Sequence, residues 1–379
     1  MSLFAPAARR EFPDLSVSVG PAPDPAAWDA LFACAAGPHP HYTHHAITAH
    51  REAGLLPQDL RFVTIRRGSD LVALLPVTLR RDLTGLGGRV ARPFLSPLVT
   101  ATAPLVIDGS GREAAVDALV TGLEECGRAW RWPLLPTEGG AVPDMLAAMH
   151  ARGWAIGVVA AFERPVMARQ ADHDAFLAGH PNRSRFKDLR RRARRLAEIG
   201  TVAHASATGG RELAGLVADF LSLEQKGWKG QAGTAMACRA DTAALAHALF
   251  GQASGPISVR ADALTLDGRS IAISLALVGG GTATLLKTAY DEDLRSHAPG
   301  LLLEAEIVRA CHETGFADTL DSATLEGSAL ESLYRERTPV AEIIALPPAN
   351  HGLTLERRLR LARFEHQARA TAKRALRRR

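Results

Sequence analysis

Residues 257–305 read ISVRADALTLDGRSIAISLALVGGGTATLLKTAYDEDLRSHAPGLLLEA, and this stretch decides the fold class. Three β-rich runs, 257–266, 270–278 and 282–289, are separated by Asp267-Gly268 and by Gly279-Gly280-Gly281. Both joints are hairpin signals, because tight turns between twisted strands need the positive φ that glycine accepts. Downstream, the pattern predicts a helix from Gly300 to Thr314, a strand from Ala317 to Asp321, a short helix from Ser328 to Arg335 and a strand from Val340 to Leu346, closed by Pro347-Pro348. Upstream, a basic amphipathic helix from Asn182 to Glu198 places Phe186, Leu189, Ala193 and Leu196 on one face, and Gly200 ends it. A strand from Thr201 to Ser206 and helices over 211–227 and 241–253 complete this half. The order β-β-β-α-β-α-β, antiparallel first and then with helical crossovers, predicts an α/β fold built on a mixed sheet.

The chain has 379 residues, which suits two domains. Residues 1–25 are Pro/Ala-rich and read as an irregular lead-in, 26–165 as a first domain, 166–348 as a second and 349–379 as a basic helical tail. In the first domain, helices flank a PHPHYTHH loop between Pro25 and His50. Runs 61–66 and 71–80 form a hairpin about Arg67-Gly68-Ser69-Asp70, and Gly85 to Gly88 is a turn. Leu105 to Ile107 reads as a strand, Glu113 to Trp130 as a helix, 133–143 as a Pro/Gly-rich stretch leading to another short helix, and Ile156 to Ala160 as a strand. Cys34, Cys126, Cys238 and Cys311 are far apart, with no C-x-x-C pair, which fits a reducing compartment rather than a disulfide framework or zinc ribbon. The N-terminal residues lack a secretory apolar core and no run reaches the ~20 residues of a membrane span, so a soluble, cytoplasmic protein is expected.

The net charge of +5 is unevenly spread. Residues 182–195 hold eight Lys/Arg and one acid, and residues 356–379 hold ten and two, which leaves 27 bases against 37 acids elsewhere. Such local basicity reads as a solvated helix face, an anionic membrane surface or an RNA-binding surface. Only Phe186 and Phe364 interleave these segments, too few for base stacking, so the membrane surface is preferred to RNA, with the protein peripheral at the inner membrane face.

Leu223-Glu224-x-x-x-Trp228-Lys229-Gly230-x-x-Gly233-Thr234-Ala235 resembles a block of the GNAT-like acetyltransferases of the CelD type, which are associated with cellulose and exopolysaccharide biosynthesis. Leu286-Lys287-Thr288-Ala289-Tyr290-Asp291, followed by Pro299-Gly300-x-Leu302-Leu303, resembles a second block, and residues 190–200 resemble the basic helix before the first GNAT strand. The likeness covers about 170–346 and is weaker at Ser96-Pro97-Leu98-Val99 and Arg152-Gly153-Trp154. The resemblance implies tandem GNAT-like domains, as in Fem-type transferases, the first degenerate and the second carrying an acyl-CoA site. It implies transfer of an acetyl or other acyl group from acyl-CoA to an amine, such as an amino sugar of a polysaccharide or envelope precursor. Two other readings stay open: a Fem-like enzyme using aminoacyl-tRNA or acyl carrier protein, and a non-catalytic accessory protein of a polysaccharide-synthesis complex.

Ser296, His297, Pro299, Gly300, Leu301 and Leu302 surround a predicted helix start, whose free N–H groups and partial positive charge suit the pyrophosphate of coenzyme A. An ordinary Pro-Gly helix start has the same letters. Acyl transfer needs a proton acceptor, a polarised carbonyl and a proton for the leaving thiolate. Glu224, Asp291 and Asp321 are the candidate carboxylates, with Glu224 first because it sits in the Trp-Lys block; each acid could equally cap or face solvent. Tyr334 is the candidate thiolate acid, and a backbone N–H near Lys287–Tyr290 the oxyanion donor. Trp228, Lys229, Lys287, Tyr290 and Asp321 are candidate acceptor-site residues. His39, His41, His44 and His45 lack H-E-x-x-H spacing and read as uncharged imidazoles, so no metal is expected. No G-x-S-x-G, Walker A or G-x-G-x-x-G motif occurs.

Overall fold

The computed structural model describes residues 14–324, 327–349 and 352–377. The strands are β1 (Leu15–Gly20), β2 (Arg61–Arg67), β3 (Asp70–Arg81), β4 (Arg89–Pro93), β5 (Leu105–Val106), β6 (Trp130–Pro136), β7 (Ala155–Ala168), β8 (Val202–Ala207), β9 (Ser258–Leu266), β10 (Arg269–Gly279), β11 (Thr282–Tyr290), β12 (Thr319–Asp321) and β13 (Glu336–Leu346). They form one mixed sheet in the order β1-β2-β3-β4-β6-β13-β7-β12-β11-β10-β9-β8, with β5 paired to β3 off this path. The fold is mixed α/β, as the alternation in the sequence predicts.

Read from either edge, the sheet has the same grammar. Four antiparallel strands lead to one parallel pair, β4 with β6 in the first half and β11 with β12 in the second. An antiparallel strand follows, and it comes from the other half: β13 lies against β6, and β7 lies against β12. The two exchanged strands pair along the whole of Glu336–Leu346. A tandem architecture follows from this palindrome, with the sheet shared rather than split at residue 165.

Local chemistry explains the predicted elements. The β9–β10 turn uses Asp267 and Gly268 at φ 50° and 78°, and the β10–β11 turn uses Gly280 and Gly281 at 57° and 74°. Two consecutive positive φ values define the turn whose twist matches that of the flanking strands. The helix Arg183–Ala197 buries Phe186, Leu189 and Leu196 beneath the helix Pro299–Thr314, and Gly210–Lys226 buries Leu213, Val217, Phe220 and Leu221 on the main core.

Several sequence expectations are corrected. Within the lead-in, residues 1–13 lie outside the described residues, but Leu15–Gly20 is an edge strand antiparallel to β2. The helix expected to run to Trp130 ends at Cys126, and Trp130–Pro136 is a sheet strand. The short helix expected over Ser328–Arg335 is only a 3₁₀ turn, Ala329–Ser332, so Tyr334 lies beyond it. The C-terminal helix Leu355–Arg377 is docked rather than wholly solvated: Leu355, Leu359 and Ala362 pack with Val90, Ala129, Val159, Ile344 and Leu346. Gly157 of β7 makes room for it, since a Cβ there would lie 2.7 Å from Leu359.

In the first half, β4 and β6 share one registered pair, Ala91 with Trp130. The gap beyond it is plugged by the chain itself. Thr102 donates its N–H to Leu134 O at 3.0 Å, and the Trp132 indole donates to Thr102 O at 3.0 Å.

Beneath the C-terminal helix, Arg131 is 3% exposed and holds Glu342, Glu365 (2.5 Å) and Asp82 (3.5 Å). Burial pushes the Glu365 carboxyl up, but the hydrogen bond and charge of Arg131 outweigh it, and the group titrates below its ordinary value. Substituting Arg131→Met should leave Asp82, Glu342 and Glu365 only their outer partners Arg92, His366 and Arg369 and cost about 2 kcal/mol of stability, read from the urea midpoint.

Candidate functional site

The second half keeps open the gap that the first half fills. β11 and β12 pair in parallel only from Thr282, Ala283 and Thr284 to Thr319, Leu320 and Asp321. Beyond Thr284, β11 continues along β10 alone, and its other edge faces a cleft of about 420 Å³. A β-bulge lies here: Leu275 faces Lys287 while Ala276 faces Leu285, so Leu286 is the extra residue. The bulge breaks the alternation of side chains, and consecutive Leu285 and Leu286 both line the cleft.

The opposite wall is Ser322, Ala323 and Thr324, with Ala323 turned left-handed at φ 54° and its N–H bonded to Asp321 at 2.8 Å. Ser328, Ala329 and Leu330 close one side, and the helix Pro299–Thr314 forms the floor with Ala298, Gly300, Leu301 and Glu304. Ala298 caps this helix at φ 53°, and the N–H groups of Leu301 and Leu302 both turn back to Ala298 O. Pro299 has no N–H, so Gly300 carries the first-turn N–H that has no partner within the helix. Gly300 also packs against Tyr290: a Cβ would stand 3.3 Å from the ring.

Of the residues expected to meet a cofactor, Gly300 and Leu301 line the cleft, Pro299 starts the helix, and Leu302 is buried in the core behind it. Ser296 and His297 lie in the turn Glu292–His297, away from the lining, and Ser296 O accepts from Arg192 of the basic helix. Arg295 of that turn does reach the cleft.

The expected catalytic groups fall in different places. Glu224 is 3% exposed; its Oε1 accepts from Lys229 Nζ at 2.9 Å and lies 3.9 Å from Lys287 Nζ, while Oε2 accepts the Met236 N–H at 2.8 Å. Burial lowers the Lys287 pKa, with Glu224 opposing and Lys229 adding to the shift. Asp291 caps the next turn through the Asp293 N–H and pairs with Arg269 at 2.7 Å. Asp321 is buried behind the wall, 3.6 Å from Arg164, whose guanidinium also donates to Thr324 O and Thr100 O and so ties the first half to the cleft. Trp228 is 57% exposed with its N–H bonded to Glu292 at 2.7 Å, and Tyr290 stands between the cleft and a polar groove lined by Asp219, Lys226 and Arg269. In the histidine loop, burial pushes His41 well below its ordinary pKa, and it lies 2.9 Å from the Thr100 hydroxyl.

Tyr334 is 1% exposed and donates its hydroxyl to Glu304, beneath the cleft floor. Glu304 itself lines the cleft and no motif marks it in the sequence, although an acid inside Leu301-Leu302-Leu303-Glu304-Ala305 sits where a buried apolar residue is expected. Burial pushes its carboxyl up to about 7, against the opposing Tyr334 hydrogen bond. The Tyr334 hydroxyl is pushed well above its ordinary value by burial and by Glu304.

Residues 183–324 match the family described as acetyltransferase (GNAT) domain. The molecule is thus a mixed α/β protein with a GNAT domain in its C-terminal region. Similar solved structures span both halves. The C-terminal DUF2156 domain of a putative lysylphosphatidylglycerol synthetase from Agrobacterium fabrum is 12% identical at TM-score 0.52, covering 88% of this chain and 93% of that one. FemX is 11% identical at TM-score 0.53, covering 86% and 96%. A protein of unknown function from Bacteroides thetaiotaomicron is 14% identical at TM-score 0.51, covering 86% and 97%. These likenesses establish the fold. None of the curated proteins matches the chain.

The Glu304 environment has a stability signature. Between pH 4.5, its ordinary value, and about 7, the native chain keeps a proton that the unfolded chain has lost. Stability therefore falls as pH rises through this window, by a few kcal/mol at most. Urea unfolding at pH 5, just inside the lower edge of the window, and at pH 8, about one unit above its upper edge, should show a smaller loss in Glu304→Gln than in the parent.

Proposed function

We propose that this protein is an acyl-CoA-dependent N-acyltransferase whose acceptor is an amine. The observation that carries the reading is the parting of β11 from β12 beyond Thr284, which opens a cleft floored by a helix start. The exposed edge of β11 presents backbone groups suited to the amides of a pantetheine arm, and the Gly300 N–H and Arg295 suit its phosphates. Leu285, Leu286, Leu301 and Leu330 keep water from the reacting region. Bound acyl-CoA would supply an activated thioester carbonyl.

Within this proposal, the bulged backbone at Leu286–Lys287 supplies the N–H that polarises the carbonyl oxygen. Glu304 is the preferred proton acceptor for the attacking amine, since a group titrating near 7 can both take and return a proton at neutral pH. Tyr334 positions it. Glu224 is the weaker candidate because two lysines and an amide already engage its carboxylate. Its cluster, with the exposed Trp228 ring, is better suited to holding an acceptor that carries both a ring face and an anionic group. The CelD-type blocks at 223–235 and 286–303 support an amino sugar of a polysaccharide or envelope precursor as that acceptor.

A second reading, transfer from an aminoacyl-tRNA or an acyl carrier protein, is favoured by the basic helix Arg183–Ala197, whose Arg192 is bonded to the loop at the cleft mouth. Calorimetric titration with acetyl-CoA and longer acyl-CoAs, followed by free-thiol release with amino-sugar acceptors, separates the readings. Acyl-CoA binding in the parent, weakened about tenfold or more by Gly300→Val, is the expected result. Glu304→Gln should lower kcat by about 10²-fold with little change in acyl-CoA affinity. An absence of binding with every acyl-CoA rejects the first reading.

A further inference from the structure

The C-terminal helix Leu355–Arg377 has two faces. Its inner face is docked, and Arg358 and Arg363 fasten it by donating to Thr84 O at 2.8 Å and Val158 O at 2.9 Å. Its outer stripe carries Arg357, Arg360 and Phe364, all exposed, with Phe364 at 63% and Arg360 also paired with Glu356 at 3.2 Å. Leu83 and Leu86, on the turn against which this helix packs, are 40% and 64% exposed, and Val158 is 49% exposed. Four of the eight large apolar side chains exposed among the described residues thus lie on this helix or on the two segments it packs against. Leu86 is held there in left-handed backbone at φ 48°, which leucine rarely adopts.

We propose that this face docks the protein peripherally on an anionic lipid bilayer, with Phe364, Leu83 and Leu86 entering the headgroup layer and Arg357 and Arg360 meeting lipid phosphates. Exposed apolar side chains beside arginines, on a helix and the turn next to it, are what an interface between hydrocarbon and charged headgroups rewards. A nucleic acid would satisfy the arginines and leave the leucines in water. A second copy across a two-fold axis would set arginine against arginine. The other basic helix is a different surface: Phe186, Leu189 and Leu196 point inward, and Arg191 and Arg192 pair with Asp188. Among the described residues no helix is long and apolar enough to cross a membrane, so the contact is superficial.

The test is co-sedimentation of the full chain with vesicles of phosphatidylcholine alone and of phosphatidylcholine mixed with phosphatidylglycerol. Binding to the mixed vesicles only, weakening with salt, is expected. Leu86→Ser/Phe364→Ser and Arg357→Gln/Arg360→Gln should each reduce it by about tenfold or more while circular dichroism and thermal unfolding stay unchanged. No binding to either vesicle, or binding indifferent to Leu86→Ser/Phe364→Ser, overturns the proposal. So does a concentration-dependent dimer, or nuclease-sensitive retention of RNA, that the same substitutions abolish.

Discussion

Strand β11 can pair with β12 for only three residues, and the second half of the molecule is arranged around that limit. The bulge at Leu286 turns the strand edge away, and the helix Pro299–Thr314 supports the gap from below. Its first turn leaves the Gly300 amide without a partner in the helix, and its second turn carries Glu304 into a space too dry for an ordinary carboxylate. Each feature of the cleft follows from backbone that has lost its sheet partner.

The first half meets the same constraint and resolves it differently. Its parallel pair is shorter still, yet the residues after β4 fold back through Thr102 and spend their hydrogen bonds on Leu134 O and the Trp132 indole. Phe94, Leu98 and Val99 are buried there. One topological device therefore yields an open cleft in one repeat and a packed core in the other. The exchanged strands β7 and β13 make each repeat depend on the other for its last strand, and Arg164 of β7 extends that dependence to the cleft wall.

What the sequence revealed followed from how local each cause is. Asp267-Gly268 and the glycines at 279–281 dictate their turns within a few residues, so the β9–β11 meander was legible. β6 was not, because Pro133 and Pro136 argue against a strand, and the sheet admits them only through its particular register. β1 is a short edge strand with alternating burial, which a Pro/Ala-rich context hides. The 3₁₀ turn before Tyr334 has the letters of a helix because the two share spacing over so few residues. In the site, Gly300 and Leu301 were found from a helix start, a local signal. Glu304 was missed because its neighbours come from distant segments: Tyr334 lies thirty residues away and the strand edge comes from the other side.

Glu224 and Glu304 are both nearly sealed from water, at 3% and 2% exposure, yet they are suited to opposite work. Glu224 sits among two ammonium groups and an amide, so both of its carboxylate oxygens are already engaged. Among the described residues Glu304 has no ion-pair partner, only a tyrosine hydroxyl and, further off, Asp262, and gaining a proton relieves a desolvated charge. A carboxylate that anchors cations is a poor place to put a travelling proton, and one that is close to neutral already is a good one. The motif residue is therefore better suited to fixing charge at the acceptor side, and the residue without a motif to moving the proton.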